Sequence, residues 1–194
     1  QYEIGVKADV SSNVSVAAAL FQIKRTNEYI DSSNTYVVAG DAIHRGVELS
    51  AQGRVTRNLM IGASMTALQA TAENTGDAQI EGKRVGNVPK LKSALYMDYA
   101  LPQMPALKLN GTWIYSSSKE FVPNRDIRTT IPGYSVLNLG ARYATKVSGV
   151  KTTFRFGVDN VFNKFYWGDA SNAFGGYLIP GAPRVFRLSA QMDL

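Results

Sequence analysis

The chain has no cysteine and a single histidine, His44, among its 194 residues. Without thiolates it can form neither disulfides nor cysteine metal sites, and one histidine does not supply a conventional zinc or haem centre. No stretch approaches the roughly 20 uncharged apolar residues of a membrane-spanning helix, and residues 1–3 lack the basic start of a signal peptide. We therefore expect no cofactor held by the chain's own ligands and no transmembrane helix.

Charge clusters and catalytic motifs are also scarce. Lys and Arg (21) exceed Asp and Glu (15), giving a net charge of +6, but the cations are dispersed, which argues against a nucleic-acid partner. No nucleophile–base pair or glycine-rich phosphate loop is evident, and the S-x-x-K spacing at residues 116–119 lacks its S-D-N and K-T-G companions. The sequence therefore indicates that the chain is not an enzyme.

What the sequence does contain is a period of two. In the terminal segment PRVFRLSAQMDL apolar residues alternate with polar ones, as in a β-strand with two unlike faces. The other alternating segments are QYEIGVKAD, VSVAAALFQIKR, HRGVELSAQ, NLMIGASMTALQA, KLKSALYMDYAL, LKLNGTWIYS, YSVLNLGARYAT and KTTFRFGVDN. The sequence predicts an all-β chain of about nine strands with no convincing helix.

In the segment VSVAAALFQIKR we assign Ala17, Ala19, Phe21 and Ile23 to the apolar face, opposite Gln22 and Lys24. Alanine is abundant on the apolar faces as a whole. Small residues are tolerable against fluid lipid but fill a protein core poorly, which favours a lipid-facing surface.

The connections alternate strictly in length. Short ones rich in turn formers lie at residues 9–13, 53–58, 102–106 and 146–149, and long ones lie at 27–43, 73–89, 116–132 and 162–183. All short turns therefore fall at one end of the sheet and all long loops at the other, a pattern typical of up-and-down outer-membrane barrels. Strands of about ten residues are also long enough to cross a bilayer at a tilt. We predict an antiparallel transmembrane β-barrel with a polar interior.

An odd number of antiparallel strands cannot close a barrel without one parallel pairing. An open edge would leave unsatisfied backbone groups in lipid, at several kcal/mol per group. We therefore expect residues 1–194 to be part of a larger barrel.

Four segments resemble a known family: RGVELSAQGRV, NVPKLKSALYMDYAL, FRFGVDNVFNKFYW and PGAPRVFRLSAQMDL. They resemble the C-terminal barrel portion of TonB-dependent outer-membrane receptors, siderophore receptors in particular. That family has a barrel of about 22 strands with a plugged lumen. The resemblance implies that residues 1–194 are the last nine strands, and that the plug domain and earlier strands lie elsewhere.

The resemblance also implies a function, partners and a location. Such a receptor captures a ferric siderophore as its transported ligand, and the TonB–ExbB–ExbD complex energises import by pulling on the plug through an N-terminal segment that this chain lacks. The chain would lie in the outer membrane of a Gram-negative bacterium, in contact with lipid and with its own plug domain. Its short turns would face the periplasm and its long loops the cell exterior.

The resemblance directs attention to two sets of residues. In the long loops, ligand contacts are expected from arginines, which pair with chelate oxygens, and from aromatic rings, which stack at low entropic cost. Near strand ends that would face the vestibule, these are Arg125, Arg128, Tyr166 and Trp167. The alternative is that the aromatic rings pack the loops onto the barrel rim and that the charges are only solvated. Charges on the polar strand faces are expected to line the lumen; these are Glu48, Lys92, Asp98, Arg142, Arg155, Asp159 and Arg187. They would pair across strands and with the plug, or alternatively some would line the ligand's route once the plug moves.

Other functions remain open on the sequence alone. The same architecture serves receptors for haem, cobalamin or oligosaccharides, although the scarcity of histidine argues against haem. A structural or pore-forming barrel without TonB, or a soluble β-rich binding module, would also be compatible with the strand pattern. The loop residues do not distinguish hydroxamate from catecholate chelates.

Overall fold

A computed structural model describes residues 1–31, 33–124 and 126–193. The strands are β1 (Tyr2–Ser11), β2 (Val14–Ile30), β3 (Tyr36–Arg54), β4 (Leu59–Glu73), β5 (Leu91–Ala100), β6 (Leu107–Ser116), β7 (Lys119–Asn124), β8 (Ile127–Ile131), β9 (Tyr134–Val147), β10 (Val150–Asp159), β11 (Trp167–Ser171), β12 (Tyr177–Pro180) and β13 (Val185–Asp193). A single 3₁₀ turn, Ala173–Gly175, is the helical element among these residues. No helix in the described ranges has the length and apolar character needed to cross a membrane.

Nine of the strands form one antiparallel sheet, in the order β1-β2-β3-β4-β5-β6-β9-β10-β13. This confirms the nine predicted strands and the up-and-down order, with β1 and β13 as unclosed edges. The remaining four strands form two separate hairpins, β7–β8 and β11–β12. Both hairpins lie within stretches that were expected to be loops. Their strands were not predicted because four to six residues are too few to show a clear alternation.

The prediction of a long loop at residues 27–43 is wrong, because most of this range is paired as strand. The β2–β3 ladder continues from Thr26, opposite Asp41, as far as Ile30, opposite Tyr36. One bulge interrupts it at the buried residue Asn27, whose Nδ2 donates to the Ala39 carbonyl at 3.1 Å. A polar side chain that satisfies the backbone at a bulge lets the strands continue past it.

Strand register fixes the two faces of the sheet and corrects one of them. In antiparallel pairs, directly opposite residues share a face. Ala17 lies opposite Lys7 and Ser50, and Ala19 lies opposite Glu48. Ala17, Ala19, Phe21 and Ile23 therefore lie on the polar face, and their assignment to the apolar face is wrong. Their neighbours Val16, Ala18 and Leu20 occupy the apolar face instead. Both sets of alternating residues in this segment are apolar, so the sequence alone does not show which set faces which side.

The buried apolar residues gather at the long-loop end. They are Ala42, Ile43, Ala70, Ala72, Ile80, Ile131, Val136 and Ala170. In the middle of the sheet both faces are open, and large apolar side chains such as Leu95, Leu139 and Phe156 remain more than 40% exposed. The buried core of the chain therefore lies where the long loops meet, and the rest of the sheet is a single layer with both faces open.

Candidate functional site

Three segments meet at the long-loop end of the sheet. They are residues 74–90, the β7–β8 hairpin and the β11–β12 hairpin, which we call the loop cluster. An isolated bridge between Thr71 and Arg84 ties the first segment to β4. The hairpins stand beside it, and the three are joined by side chains rather than by a continuous ladder.

Glu120 joins the first segment to the β7–β8 hairpin. Its carboxylate pairs with Arg128 and lies 3.5 Å from Arg84 Nη1. Arg128 also donates to the Arg84 carbonyl at 2.9 Å, and the Glu120 carbonyl accepts from the Asn87 amide at 2.6 Å. One carboxylate therefore holds two guanidinium groups, each about one-third exposed or less.

Arg128, a predicted ligand residue, is thus already engaged by protein groups. Burial, and then the nearby Arg84 charge, lower the pKa of Arg128 below its ordinary value; the guanidinium remains charged at neutral pH because that ordinary value is so high. Among the described residues no hydrogen bond or cation–π contact links Arg128 to Tyr166 or Trp167. Arg125, the other predicted arginine, lies outside the described residues.

Lys119 and Asn87 join the β11–β12 hairpin to the other two segments. Lys119 is 6% exposed, and its Nζ donates to the Gly168 carbonyl at 3.1 Å and lies 3.6 Å from Asp169 Oδ1. Asn87 Nδ2 donates to Asp169 Oδ1 at 2.6 Å and to the Ala170 carbonyl at 2.9 Å. A lysine at the base of one hairpin and an asparagine from the first segment therefore hold the same short strand.

The electrostatics of this junction agree with its geometry. Burial lowers the pKa of Lys119, with Asp169 opposing that shift. The hydrogen bond from Asn87 is the main cause that lowers the pKa of Asp169, followed by the bond from the Ala170 amide. At neutral pH the aspartate is charged and holds both partners, as expected for a carboxylate with donors directed at it.

The predicted aromatic residues lie together at the start of β11. The rings of Tyr166 and Tyr134 have their centroids 4.3 Å apart, and the Tyr166 ring covers Gly181, where any Cβ would clash. Trp167 is the first residue of β11 and meets Phe165 edge to face at 5.0 Å. Phe165 is 69% exposed. Tyr166 is thus part of the hairpin's packing, whereas the Phe165–Trp167 pair offers an aromatic surface.

Asn160 fastens the base of the β11–β12 loop. It is 3% exposed, and its Nδ2 donates to the carbonyls of Lys164 at 2.8 Å and Ala182 at 3.0 Å. Its Oδ1 accepts from the Lys164 amide at 2.9 Å, and its own amide donates to Asn138 Oδ1 at 2.8 Å. This residue lies in the quoted segment FRFGVDNVFNKFYW, and the contacts give a physical reason for an asparagine there.

The seven charged residues predicted for the lumen share the polar face of the sheet, as the alternation predicts. They are Glu48, Lys92, Asp98, Arg142, Arg155, Asp159 and Arg187. Two ion pairs form between strands: Arg142 Nη2 lies 3.6 Å from Asp98 Oδ2, and Arg187 Nη2 lies 2.7 Å from Asp159 Oδ1. The expected cross-strand pairing is therefore present on this face.

Several residues of the loop cluster carry no local sequence signal. The sequence did not predict a role for Asn87, Glu120 or Asp169, and it drew attention to Lys119 only through the S-x-x-K spacing. The Lys119 amine donates to the Gly168 carbonyl, while Ser116 Oγ donates to the Ser117 carbonyl. Asn87 has a left-handed φ of 61°. Asparagine adopts this conformation more often than most residues do, so the residue type alone could have indicated a turn there. Within the described ranges no group of three or more His, Asp or Glu residues could hold a metal ion.

Comparison with known proteins gives the family. The family described as TonB dependent receptor-like, beta-barrel, matches residues 1–161. The chain is 29% identical to the ferrichrome receptor FcuA of Yersinia enterocolitica, over 100% of this chain and 25% of that receptor. It is 28% identical to the ferric-pyoverdine 358 receptor of Pseudomonas putida, over 99% of this chain and 23% of that receptor. The chain thus spans about a quarter of the length of these two curated relatives.

Solved structures share the fold. BauA, the ferric preacinetobactin receptor of Acinetobacter baumannii, superposes with a TM-score of 0.82 at 28% identity, over 99% of this chain and 29% of BauA. The siderophore receptor PiuA from the same organism superposes with a TM-score of 0.80 at 23% identity, over 97% of this chain and 27% of PiuA. The family consists of outer-membrane transport receptors, not enzymes. The chain belongs to the TonB-dependent receptor family, as part of its β-barrel.

Proposed function

We propose that the chain forms the C-terminal part of the barrel of an outer-membrane receptor that imports a ferric siderophore with energy delivered through TonB. The observation that carries this proposal is the match to FcuA along the whole chain, since that relative is named for a ferric siderophore. The pyoverdine and preacinetobactin receptors, named for other chelates, support the same class. The ferric chelate is cargo, and the chain itself supplies no resident cofactor.

In this proposal the loop cluster faces the cell exterior and the short turns face the periplasm. The apolar face contacts outer-membrane lipid, and the polar face lines the lumen around the receptor's own plug domain. TonB, with ExbB and ExbD, acts through an N-terminal segment outside this chain. The two cross-strand ion pairs support the lumenal assignment, because paired charges are at home in a polar interior and costly against lipid.

In this proposal the loop cluster makes the first contacts with the ferric chelate. The exposed Phe165 and its partner Trp167 provide a surface for a planar or apolar chelate arm. Arg125 and Arg128 stay predicted ligand residues; the Glu120 carboxylate and Arg84 carbonyl fix the direction in which Arg128 can present its remaining donors. Tyr166, packed on Tyr134, would orient the strand that carries Trp167.

The proposal is tested with the full-length receptor in an iron-starved bacterial host that lacks its own siderophore receptors. We expect uptake of at least one labelled ferric chelate from a panel of hydroxamate, catecholate, mixed and citrate complexes, and loss of that uptake in a host without TonB. Trp167→Ala should weaken binding of that chelate about tenfold, the effect of one stacking contact of about 1.4 kcal/mol. Uptake of haem or cobalamin alone, or uptake independent of TonB, would overturn the proposal.

A further inference from the structure

The β11–β12 hairpin begins over the polar face of the sheet. The Tyr166 ring at its start packs on the ring of Tyr134. Tyr134 lies opposite Ser116 on β6, and Ser116 lies opposite Lys92 on β5. Directly opposite residues share a face, so Tyr134 lies on the polar face with Lys92. In the proposed receptor the hairpin therefore stands beside the opening of the lumen, where a ligand enters.

The loop that carries this hairpin is aromatic and almost free of charge. Residues 162–183 contain six aromatic rings and two charged side chains, Lys164 and Asp169. The large apolar side chains that remain exposed in this loop are Phe162, Phe165, Phe174, Tyr177 and Ile179. Phe174, at the tip between the two strands, is fully exposed. Exposed apolar side chains gathered on one hairpin indicate an interaction site.

One face of the hairpin is held in place and left open. Tyr177 and Ile179 lie two residues apart on β12 and therefore point to the same side, whereas Leu178 between them is half-buried. At the tip, Gly176 rests against β7, where any Cβ would clash with Pro123. The loop cluster thus supports one side of the hairpin and presents Tyr177 and Ile179 on the other.

The charged groups beside this open face already have partners within the protein. Asp169 lies opposite Ile179, but its carboxylate accepts from Asn87 at 2.6 Å and lies 3.6 Å from Lys119 Nζ. The two described guanidinium groups of the loop cluster are both bound to Glu120. They retain donors for chelate oxygens, but a ligand on the hairpin meets aromatic rings rather than a group of unpaired cations.

This surface selects against an anionic ligand. The face of an aromatic ring carries negative potential, and removing a charge from water without a partner is costly. A trianionic chelate would need several cations around it, whereas Lys164 is the single cation in residues 162–183. A neutral complex loses little hydration here and gains the contact with the rings.

We propose that the chelate bound by this receptor is an electrically neutral ferric trihydroxamate, whose apolar arms contact Tyr177, Ile179 and Phe174. Three hydroxamates neutralise the charge of ferric iron, whereas three catecholates leave a trianion. This inference rests on the proposed function and narrows its ligand to one chemical class.

The test is a binding titration of the purified full-length receptor, followed by quenching of tryptophan fluorescence. The probes are ferrichrome and other neutral ferric trihydroxamates, compared with the trianionic ferric complex of enterobactin. We expect a trihydroxamate to bind at least about tenfold more tightly than the tricatecholate, with a Kd that changes less than about twofold between about 0.05 and 0.5 M salt. Tighter binding of the tricatecholate, or trihydroxamate binding that weakens steeply with salt, would overturn the inference.

Three variants locate the contact on the hairpin. Tyr177→Ala should weaken trihydroxamate binding about tenfold, and Tyr177→Phe, which keeps the ring, should stay within about twofold of the wild type. Lys164→Gln removes the charge of this exposed lysine and should leave trihydroxamate binding unchanged. Hydrogen exchange of the β11 and β12 amides confirms that the hairpin is folded in each variant. A loss in Lys164→Gln, or no loss in Tyr177→Ala, would contradict the neutral aromatic contact.

Uptake measurements separate this inference from the proposed function. A receptor that imports the tricatecholate and none of the trihydroxamates keeps the transport proposal and overturns the ligand class. A receptor that imports no ferric chelate overturns both.

Discussion

Two structures project from the long-loop end of the sheet, and they are built in different ways. The β2–β3 arm, residues 26–41, continues the backbone ladder outward and ends in a turn in which the Thr35 carbonyl accepts from the Asp31 amide at 3.0 Å. About half of its described side chains are exposed, among them Tyr36 at 61% and Val38 at 57%, and Asn27 is the buried one. The loop cluster has only short strands and is joined by side chains that reach from one segment to another.

This difference decides where single substitutions should matter. A ladder spreads its stability over many equivalent backbone hydrogen bonds, and an exposed side chain on it contributes little. In the loop cluster a few side chains satisfy buried carbonyls and charges, so removing one leaves its partners unsatisfied. The cluster should therefore respond to substitution as a unit, and the arm should not.

The largest effect is expected for Asn87→Ala. The substitution removes the hydrogen bonds to Asp169 and Ala170 and places alanine at a φ of 61°. Together these should lower the free energy of opening of the β11–β12 hairpin by about 3 kcal/mol. Hydrogen exchange of the β11 and β12 amides in the full-length receptor measures this.

Two variants divide that effect into its parts. Asn87→Gly keeps the left-handed backbone and loses only the hydrogen bonds, so it should recover about 1 kcal/mol. Asn34→Ala makes the same backbone change at φ 61° in the turn of the arm, where Asn34 forms no side-chain hydrogen bond with a described residue, and should lose only about 1 kcal/mol. Equal losses at positions 34 and 87 would refute the contrast.

A smaller effect is expected for Glu120→Ala. It leaves Arg84 and Arg128 close together without their shared carboxylate, at side-chain exposures of 25% and 31%. Since these groups are partly solvated, the loss should be about 2 kcal/mol, below that of a fully buried pair. Amide hydrogen exchange should become faster in residues 84–90 and in β7–β8 together. Faster exchange confined to β8 would contradict the coupling.

The matched change in the arm is Glu28→Ala, at an exposed position. It should change the free energy of opening of the arm by no more than about 0.5 kcal/mol.

The contrast also explains how far the sequence could be interpreted unaided. Nine wall strands were predictable because one face of most of them is apolar and the other polar, which fixes strand and phase at once. In β2 the residues from Val16 to Phe21 are all apolar, so only pairing with Lys7 and Glu48 determines the phase. The arm was missed because polar, exposed residues look like a loop even when their backbones are paired.

The loop cluster could not be predicted from local pattern at all. Asn87 and Asp169 are 82 residues apart in the chain, and neither is part of a periodic segment. Tyr166 and Trp167 could be proposed from the sequence because aromatic rings near strand ends are a visible signal. Lys119 and Glu120 gain their partners Asp169 and Arg84 only when the segments come together in space. Long-range side-chain contacts leave no spacing in a single sequence.

The smallest effect, and the most local, is expected for Glu81→Gln. The Glu81 carboxylate accepts from the Thr75 amide at 2.8 Å, the Thr75 hydroxyl at 2.9 Å and the Asn74 amide at 3.1 Å. The Thr75 amide bond is the main cause that lowers the pKa of Glu81 below 4.5. A carboxyl with a lowered folded pKa contributes its full stability above the unfolded value, and this contribution is lost as pH falls through the folded value.

The wild-type chain should therefore protect the Thr75 amide better than Glu81→Gln does above pH 4.5, and the two should converge in more acidic solution. A difference that stayed constant with pH would contradict this account. All three bonds lie within one segment, so β11 and β12 should keep their protection in the variant, unlike in Asn87→Ala. If Glu81→Gln loosened the β11–β12 hairpin as well, order in residues 74–81 would itself be part of the connection between segments, and the cluster would be more tightly coupled than its inter-segment contacts indicate.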